Sequence, residues 1–88
     1  MTICALIAAF DEAPRIAQVV AGIRPHVEHV IVVDDGSTDG TADAAASAGA
    51  EVLSHPENRG KGVAIRTGLS MLMDRPFSPD KQTARSDR

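Results

Sequence analysis

The sequence predicts an α/β protein in which a parallel sheet is covered by helices on both faces, a three-layer arrangement. Apolar runs without polar alternation recur along the chain, and such runs are typical of strands buried on both faces of a parallel sheet. Each run is followed by a segment with apolar residues at helical spacing. This alternation of strand and helix indicates βαβ units with right-handed crossovers.

The first unit begins with a continuous apolar run over residues 3–9, which predicts a fully buried strand. Cys4, the single cysteine, lies in this run and is therefore interpreted as a small core residue. A helix is predicted over residues 14–24, because Pro14 suits a first helical turn and an apolar stripe follows it. Pro25 ends that helix.

Two further units follow the same pattern. Residues 30–33 are all β-branched and predict a second buried strand. The alanine-rich segment predicts a helix over residues 40–48, with Gly49 in the left-handed conformation at its end. A short third strand over residues 51–54 and a third helix over residues 61–73 complete the alternation.

Residues 1–74 are therefore predicted to form one small α/β unit, followed by a disordered tail over residues 75–88. From Asp74 to the end the chain holds four basic and three acidic residues, two prolines and one large apolar residue, Phe77. Such a composition buries too little apolar surface to become ordered.

Composition also limits the class of partner. The formal charge of −3 gives no basic surface for a nucleic-acid backbone. The amino terminus has no basic segment typical of a signal peptide, and no apolar run approaches the roughly 20 residues that span a bilayer. We therefore expect a cytoplasmic protein without a membrane span.

Carboxylates gather at one edge of the predicted sheet. Ligands of open parallel sheets bind beyond the carboxyl ends of the strands, and here Asp11 and Glu12 follow the first strand while Asp34 and Asp35 follow the second. These acids indicate a ligand that offers hydrogen-bond donors or a cation, but acids also cap helix N-termini. The capping interpretation is favoured for Asp11 and Asp39, and a functional one for Asp34 and Asp35.

Three segments around these acids carry a family resemblance. Residues 7–12, Ile-Ala-Ala-Phe-Asp-Glu, resemble the Ile-Pro-Ala-Tyr-Asn-Glu segment of the family-two glycosyltransferases, which have the GT-A fold. Residues 32–41, Val-Val-Asp-Asp-Gly-Ser-Thr-Asp-Gly-Thr, match their second motif at nearly every position, and residues 58–62, Asn-Arg-Gly-Lys-Gly, resemble the third. The resemblance covers residues 3 to 70 and is closest to the subgroup acting on polyprenyl phosphates.

This resemblance implies the Rossmann-like N-terminal half of a GT-A fold, with the first strand between the other two. It also implies a nucleotide pocket, whose matching positions are Ala8, Phe10, Glu12, Val33, Asp35 and Lys61. By that resemblance Val33 packs near the base and Asp35 accepts a hydrogen bond from a base N–H. An ionised carboxylate is an acceptor only, and it suits the imide N–H of uracil or guanine.

Lys61 lies where a cation could meet a diphosphate, although an ordinary solvated lysine at a helix start fits equally well. Ala8, Phe10 and Asp11 replace the proline, tyrosine and asparagine that the family has at these positions. Phe10 can still stack on a base, but it lacks the hydroxyl group of tyrosine. The departures bear on how tightly a base is held, and the implied fold is unaffected.

The implied ligand is the nucleotide part of a UDP- or GDP-sugar. Full-length relatives are expected to transfer the sugar to an acceptor such as polyprenyl phosphate, with Mg²⁺ or Mn²⁺ held by an Asp-x-Asp motif. No Asp-x-Asp occurs in this sequence, and residues 75–81 stand where the motif belongs. We therefore predict no catalytic residue and no metal ligand here, and expect a truncated or frameshifted chain that is inactive alone. A non-catalytic nucleotide-binding fragment, a chain that needs a partner, or a remnant without function remain alternatives.

Other classes of site fit less well. A dinucleotide-binding domain needs Gly-x-Gly-x-x-Gly after the first strand, where this chain has Ala-Phe-Asp-Glu. A phosphate-binding P-loop fails because His55 stands at its first glycine and Gly62 at its Ser/Thr position. An aspartyl phosphatase would need aspartate at Val33. His26 and His29 have no third ligand nearby for zinc and are interpreted as surface residues.

Overall fold

The computed structural model describes residues 3–74, and in this range strands and helices alternate as predicted. The elements in chain order are β1 Cys4–Ala9, α1 Ala13–Ile23, the short 3-10 helix Arg24–His26, β2 His29–Asp35, α2 Thr41–Ser47, β3 Glu51–His55 and α3 Lys61–Asp74. The three predicted α-helices are confirmed to within one residue at each end. The predicted tail over residues 75–88 lies outside the described residues.

The three strands form one parallel sheet in the order β1-β2-β3. The expectation that the first strand lies between the other two is therefore wrong, because β2 occupies the centre. The burial of the strands agrees with this order. Six of the seven residues of β2 are buried, whereas in β1 only Ala9 is, as expected for a central strand beside an edge strand.

The prediction of full burial for residues 3–9 is wrong for the same reason. Within residues 3–74, β1 pairs with β2 on one side only, which makes it an edge strand of the described sheet. Ile3 is 51% exposed, and Cys4 is half-buried where a buried core residue was expected. The described residues thus leave part of the apolar surface of β1 exposed.

The sheet has helices on both faces, which confirms the three-layer arrangement. α1 and α2 pack together on one face, where Val30 and Val32 of β2 meet Ile16, Val20 and Ala45. Side chains of a strand alternate between faces, so the remaining apolar residues of β2 point toward α3, which contacts β1 and β2.

α3 packs closely against β1. A Cβ atom built on Gly68 would overlap Cδ1 of Leu6, so a larger residue at position 68 would require the Leu6 side chain or the helix to shift.

The helix ends follow the sequence signals. Pro14 lies in the first turn of α1, and Pro25 lies in the 3-10 turn that ends it. Gly49 has φ +107°, and the N–H of Ala50 reaches back to the carbonyl of Ala45 at 3.1 Å, a closure that uses the left-handed residue after a helix. Among residues 3–74, no helix is both long and apolar enough to cross a bilayer.

Candidate functional site

The candidate site is built around two adjacent acids at the end of β2. The sequence predicts that Asp34 and Asp35 follow the strand, but the structure places both inside it. Neighbouring strand residues point to opposite faces, so the two carboxylates diverge. Asp34 is 5% exposed, and its Oδ1 accepts the N–H of Ser37 at 3.1 Å. Asp34 therefore closes a turn, and the functional role that the sequence favours for it stays a prediction.

Asp35 holds the loop that follows β3. Its Oδ1 accepts the N–H of Arg59 at 2.9 Å and contacts Nδ1 of His55 at 2.8 Å, while its Oδ2 accepts the N–H of Gly60 at 2.8 Å. We call Asp35, His55, Arg59 and Gly60 the clamp. The clamp fixes the polar loop over residues 56–60 against the end of the sheet.

Gly36 lets this loop approach. Its φ is +82°, and a Cβ atom there would lie 2.5 Å from the main-chain nitrogen of Asn58 and 2.5 Å from the carbonyl carbon of Glu57. Both the backbone conformation and the space therefore require glycine. The Asp-Gly pair of the second motif thus supplies the acceptor for the loop and the room for it.

His55 is a member of the clamp and lies one residue beyond the predicted third strand over residues 51–54. The structure makes it the last residue of β3, where it pairs in register with Asp35. Because an ionised carboxylate only accepts, Nδ1 of His55 donates to it. Nε2 lies 2.9 Å from Oγ1 of Thr67 on α3. No sequence signal indicated this contact, because it depends on the register between β2 and β3.

These hydrogen bonds keep Asp35 ionised. The bond from His55 is the largest cause that lowers the pKa of Asp35, and the N–H groups of Arg59 and Gly60 add to it, while burial acts in the opposite direction. The carboxylate is only 3% exposed. A buried charge of this kind is stable because its acceptors are satisfied by fixed donors.

A cavity of about 240 Å³ opens beside the clamp, and its lining comes from all three motif segments. The residues that line it are Ala8, Ala9, Phe10, Glu12, Asp35, Asn58 and Lys61. Five of the six predicted nucleotide-binding residues are therefore brought together around one space. The sixth, Val33, is fully buried and is not among the lining residues. Asn58 belongs to the third motif, but the sequence analysis assigned it no role in the pocket.

The walls of this cavity differ in chemistry. Phe10 is 47% exposed, so its ring offers a surface on which a flat group can stack. Oε1 of Glu12 lies 3.0 Å from Nε of Arg15, and this pair is largely solvent-exposed. Lys61 is exposed at the first residue of α3, where the helix dipole also favours an anion.

A second group of polar residues joins the α1 and α2 sides of the same sheet edge. We call Asp11, Ser37, Asp39 and Thr41 the latch. Asp11 has φ 52°, an uncommon value for a residue other than glycine. Its N–H donates to Oγ of Ser37 at 2.7 Å, and its Oδ1 accepts the N–H of Thr38 at 3.0 Å. The latch therefore joins the loop after β1 to the loop after β2.

Asp39 and Thr41 complete the latch at the start of both helices. Oδ2 of Asp39 accepts the N–H of Ala13 at 3.2 Å, and its Oδ1 accepts both the N–H and the hydroxyl of Thr41. The hydroxyl oxygen of Thr41 accepts the N–H of Glu12 at 2.9 Å. The hydrogen bond from the Thr41 hydroxyl is the largest cause that lowers the pKa of Asp39. These contacts agree with the capping interpretation of Asp39.

The sequence model of glycosyl transferase family 2 matches residues 4–74, which contain both the clamp and the latch. The chain belongs to this family. The matched range ends where the described residues end, and it includes every residue that lines the cavity.

Curated relatives of this glycosyl transferase family 2 chain come from archaea. It is 37% identical over 76 residues to the glycosyltransferase AglJ of Haloferax volcanii, a match that covers 85% of this chain and 25% of AglJ. It is 35% identical over 69 residues to the uncharacterised protein MJ1222 of Methanocaldococcus jannaschii, covering 77% of this chain and 28% of the relative. The chain thus spans about a quarter of the length of these relatives.

Solved structures of similar proteins confirm the Rossmann-like N-terminal part of the GT-A fold. Glucosyl-3-phosphoglycerate synthase from Mycobacterium tuberculosis, in complex with Mn²⁺, UDP and glucosyl-3-phosphoglycerate, matches with a TM-score of 0.69 at 35% identity, over 78% of this chain and 29% of that one. Mannosyl-3-phosphoglycerate synthase from Rubrobacter xylanophilus matches with a TM-score of 0.72 at 32% identity, over 80% and 27%.

Mn²⁺ is present in the structure of the Mycobacterium tuberculosis relative. In this family-two chain, residues 3–74 provide no set of ligands for such an ion. Residues 3–74 contain no group of three or more His, Cys, Asp or Glu side chains placed to hold a metal ion. The carboxylates nearest to the cavity are already engaged, Asp35 in the clamp and Glu12 with Arg15. We therefore derive no metal-dependent step from these residues.

Proposed function

We propose that residues 3–74 bind the nucleotide part of a UDP- or GDP-sugar in the cavity beside the clamp. The observation that carries this proposal is the convergence of residues from three separate motif segments around one space, with a buried ionised carboxylate in its wall. Membership of glycosyl transferase family 2 and the UDP bound by a relative of similar fold support it.

Three residues of the cavity wall have direct roles in this proposal. Phe10 stacks on the base, and Asp35 accepts a base N–H through its remaining acceptor site. Lys61, at the N-terminus of α3, faces the diphosphate, where both its charge and the helix dipole favour an anion. Val33 acts indirectly, since it is fully buried and pairs in register with Ala8, which lines the cavity.

For the whole protein we propose transfer of the sugar to an acceptor, with polyprenyl phosphate as the first candidate from the motif resemblance. Phosphoglycerate is a second candidate, because two relatives of similar fold are named as glycosyl-3-phosphoglycerate synthases. Transfer also needs a group that stabilises the leaving diphosphate, commonly a metal ion, and a general base. We propose that polypeptide outside residues 3–74 supplies both. A cytoplasmic location stays a prediction.

The proposal is tested by isothermal titration calorimetry on the full 88-residue chain with UDP and GDP. Asp35→Ala removes the charged acceptor, and we expect affinity for the preferred nucleotide to fall about ten-fold or more. Asp43→Ala is the matched control, because Asp43 is exposed on α2 and does not line the cavity. Unchanged affinity in Asp35→Ala, with the thermal transition of the variant showing that it is folded, would contradict the role of Asp35.

A further inference from the structure

We propose that the clamp selects a base with a single imide N–H, uracil or thymine, over guanine, and that His55 sets this preference. The inference deepens the proposed nucleotide site and rests on it. It follows from the number of acceptor positions that Asp35 has left for a ligand.

Asp35 has one acceptor position to spare. A carboxylate offers about four lone-pair positions, two on each oxygen. Oδ1 already receives the N–H of Arg59 and Nδ1–H of His55, and Oδ2 receives the N–H of Gly60. All three donors belong to the folded chain and lie within 2.9 Å of the oxygen that accepts them. One position on Oδ2 therefore remains for a ligand in the cavity.

The nucleobases differ in what they present to such an acceptor. Guanine carries two adjacent donors, N1–H and the exocyclic amino group, which pair best with both oxygens of one carboxylate. Uracil and thymine carry one imide N–H between two carbonyl oxygens. With Oδ1 fully occupied, the amino group of guanine would lose its partner on desolvation, which is unfavourable. Cytosine presents an acceptor nitrogen at this position, and the carboxylate repels it.

The cavity also holds a donor that fits the carbonyl oxygens of uracil. Asn58 lines it beside Asp35, and its side-chain amide can donate to one carbonyl while Asp35 accepts the imide N–H. The main chain of Asn58 is held against Gly36, so this amide is carried by a loop whose position is fixed.

His55 is the side chain that occupies the second position on Oδ1. The other two donors are main-chain N–H groups and stay in place whatever the side chains are. His55 is held from both sides, by its register with Asp35 across the parallel strands and by the contact of Nε2 with Thr67. Its side chain is 11% exposed, so water does not readily replace it. His55 is therefore a positioning residue that acts on the ligand through Asp35.

The first test uses the unaltered 88-residue chain and a series of nucleoside diphosphates in calorimetry. We expect UDP and dTDP to bind about ten-fold or more tightly than GDP, and CDP to bind weakly. N3-methyl-UDP, in which a methyl group replaces the imide hydrogen, should bind at least about ten-fold more weakly than UDP. GDP binding as tightly as UDP, or N3-methyl-UDP binding like UDP, overturns the inference and leaves the proposed nucleotide site standing. Binding of none of them contradicts the proposed site itself.

The second test changes the selectivity. His55→Leu frees one position on Oδ1, so we expect the ratio of the Kd for GDP to the Kd for UDP to fall at least three-fold toward one. His26→Leu, at an exposed histidine of the 3-10 helix, is the control and should keep the wild-type ratio. A general weakening of both nucleotides with the ratio unchanged indicates a purely structural role for His55 and contradicts the proposal. The nucleotide series on the unaltered chain decides the selectivity even if this variant does not fold.

Discussion

The latch and the clamp lie at the same edge of the sheet, and an aspartate accepts several hydrogen bonds in each. They differ in that Asp35 of the clamp lines the cavity, whereas no residue of the latch does. In the latch, Asp39 receives three donors from Ala13 and Thr41, and the contacts join loops to one another. In the clamp, Asp35 also receives three donors, yet it lines a cavity. The two acids thus differ in what lies beside them: Asp35 borders a cavity, whereas Asp39 lies between the starts of two helices.

The alternation of side chains along β2 likewise separates Asp34 from Asp35. Asp34 points to the face covered by α1 and α2 and closes a turn, whereas Asp35 points to the face of α3, where the cavity lies. Changes in the latch should therefore alter the stability of the fold, and changes in the clamp should alter both stability and ligand selectivity.

The largest effect is expected for Gly36→Ala on the clamp side. The added Cβ atom would lie 2.5 Å from the loop backbone at a φ of +82°, so strain and overpacking together should lower the free energy of unfolding by about 2–4 kcal/mol. Urea denaturation of the full chain measures this. Gly22→Ala is the matched control, because nothing lies within 4 Å of its added Cβ atom in α1, and it should be neutral or stabilising by up to about 1 kcal/mol. Equal urea midpoints for Gly36→Ala and Gly22→Ala would show that the loop does not pack closely against Gly36.

A smaller effect is expected for Thr41→Val in the latch. Thr41 is fully buried, and its hydroxyl accepts the N–H of Glu12 and donates to Asp39. The loss of both bonds should cost about 1–3 kcal/mol of unfolding free energy. Thr38→Val is the control, since exposed Thr38 contributes its main-chain N–H to the latch. The GDP to UDP selectivity should stay unchanged in Thr41→Val, and a shift in that ratio would break the separation between latch and clamp.

The smallest effect on stability is expected when the pH is lowered. Because folding lowers the pKa of Asp35 below its usual 3.8, its contribution to stability is present above that pH and is lost as the pH falls through the lower folded-state pKa. Carboxyl ¹³C NMR from pH 7 to pH 2 should show the lowered midpoint. His55→Leu removes the largest cause of the lowered pKa of Asp35, so this pKa should rise. The pKa of Asp39, which the hydrogen bond from Thr41 lowers, should not change. Equal movement of both groups would mean that the two clusters are coupled.

Local sequence signals predicted most of the fold, because its elements depend on local patterns. Proline at the start of α1, alanine-rich composition in α2 and Gly49 after it placed the helices within one residue. Strand order was not predictable in this way, since it depends on which strands pair along the two edges of β2. Sequence periodicity reports the apolar character of a strand but not which neighbours flank it.

The candidate site was predictable in part. The motif resemblance indicated Phe10, Asp35 and Lys61, and the structure brings them to one cavity. It did not indicate His55, because a single histidine beside a proline looks like part of a loop until the register of β2 and β3 places it opposite Asp35. Nor did it separate Asp34 from Asp35, since that requires knowing which helix covers which face.

The strand order has a consequence for how the chain folds. Each strand pairs with the strand that precedes it, and the covering helix of each crossover lies between the two in sequence. Every pairing can thus form from residues already synthesised, with short loops to close, and contacts of short sequence separation favour rapid folding. We expect the first βαβ unit to become stable once β2 and its covering helix have left the ribosome, and β3 to add to an existing template.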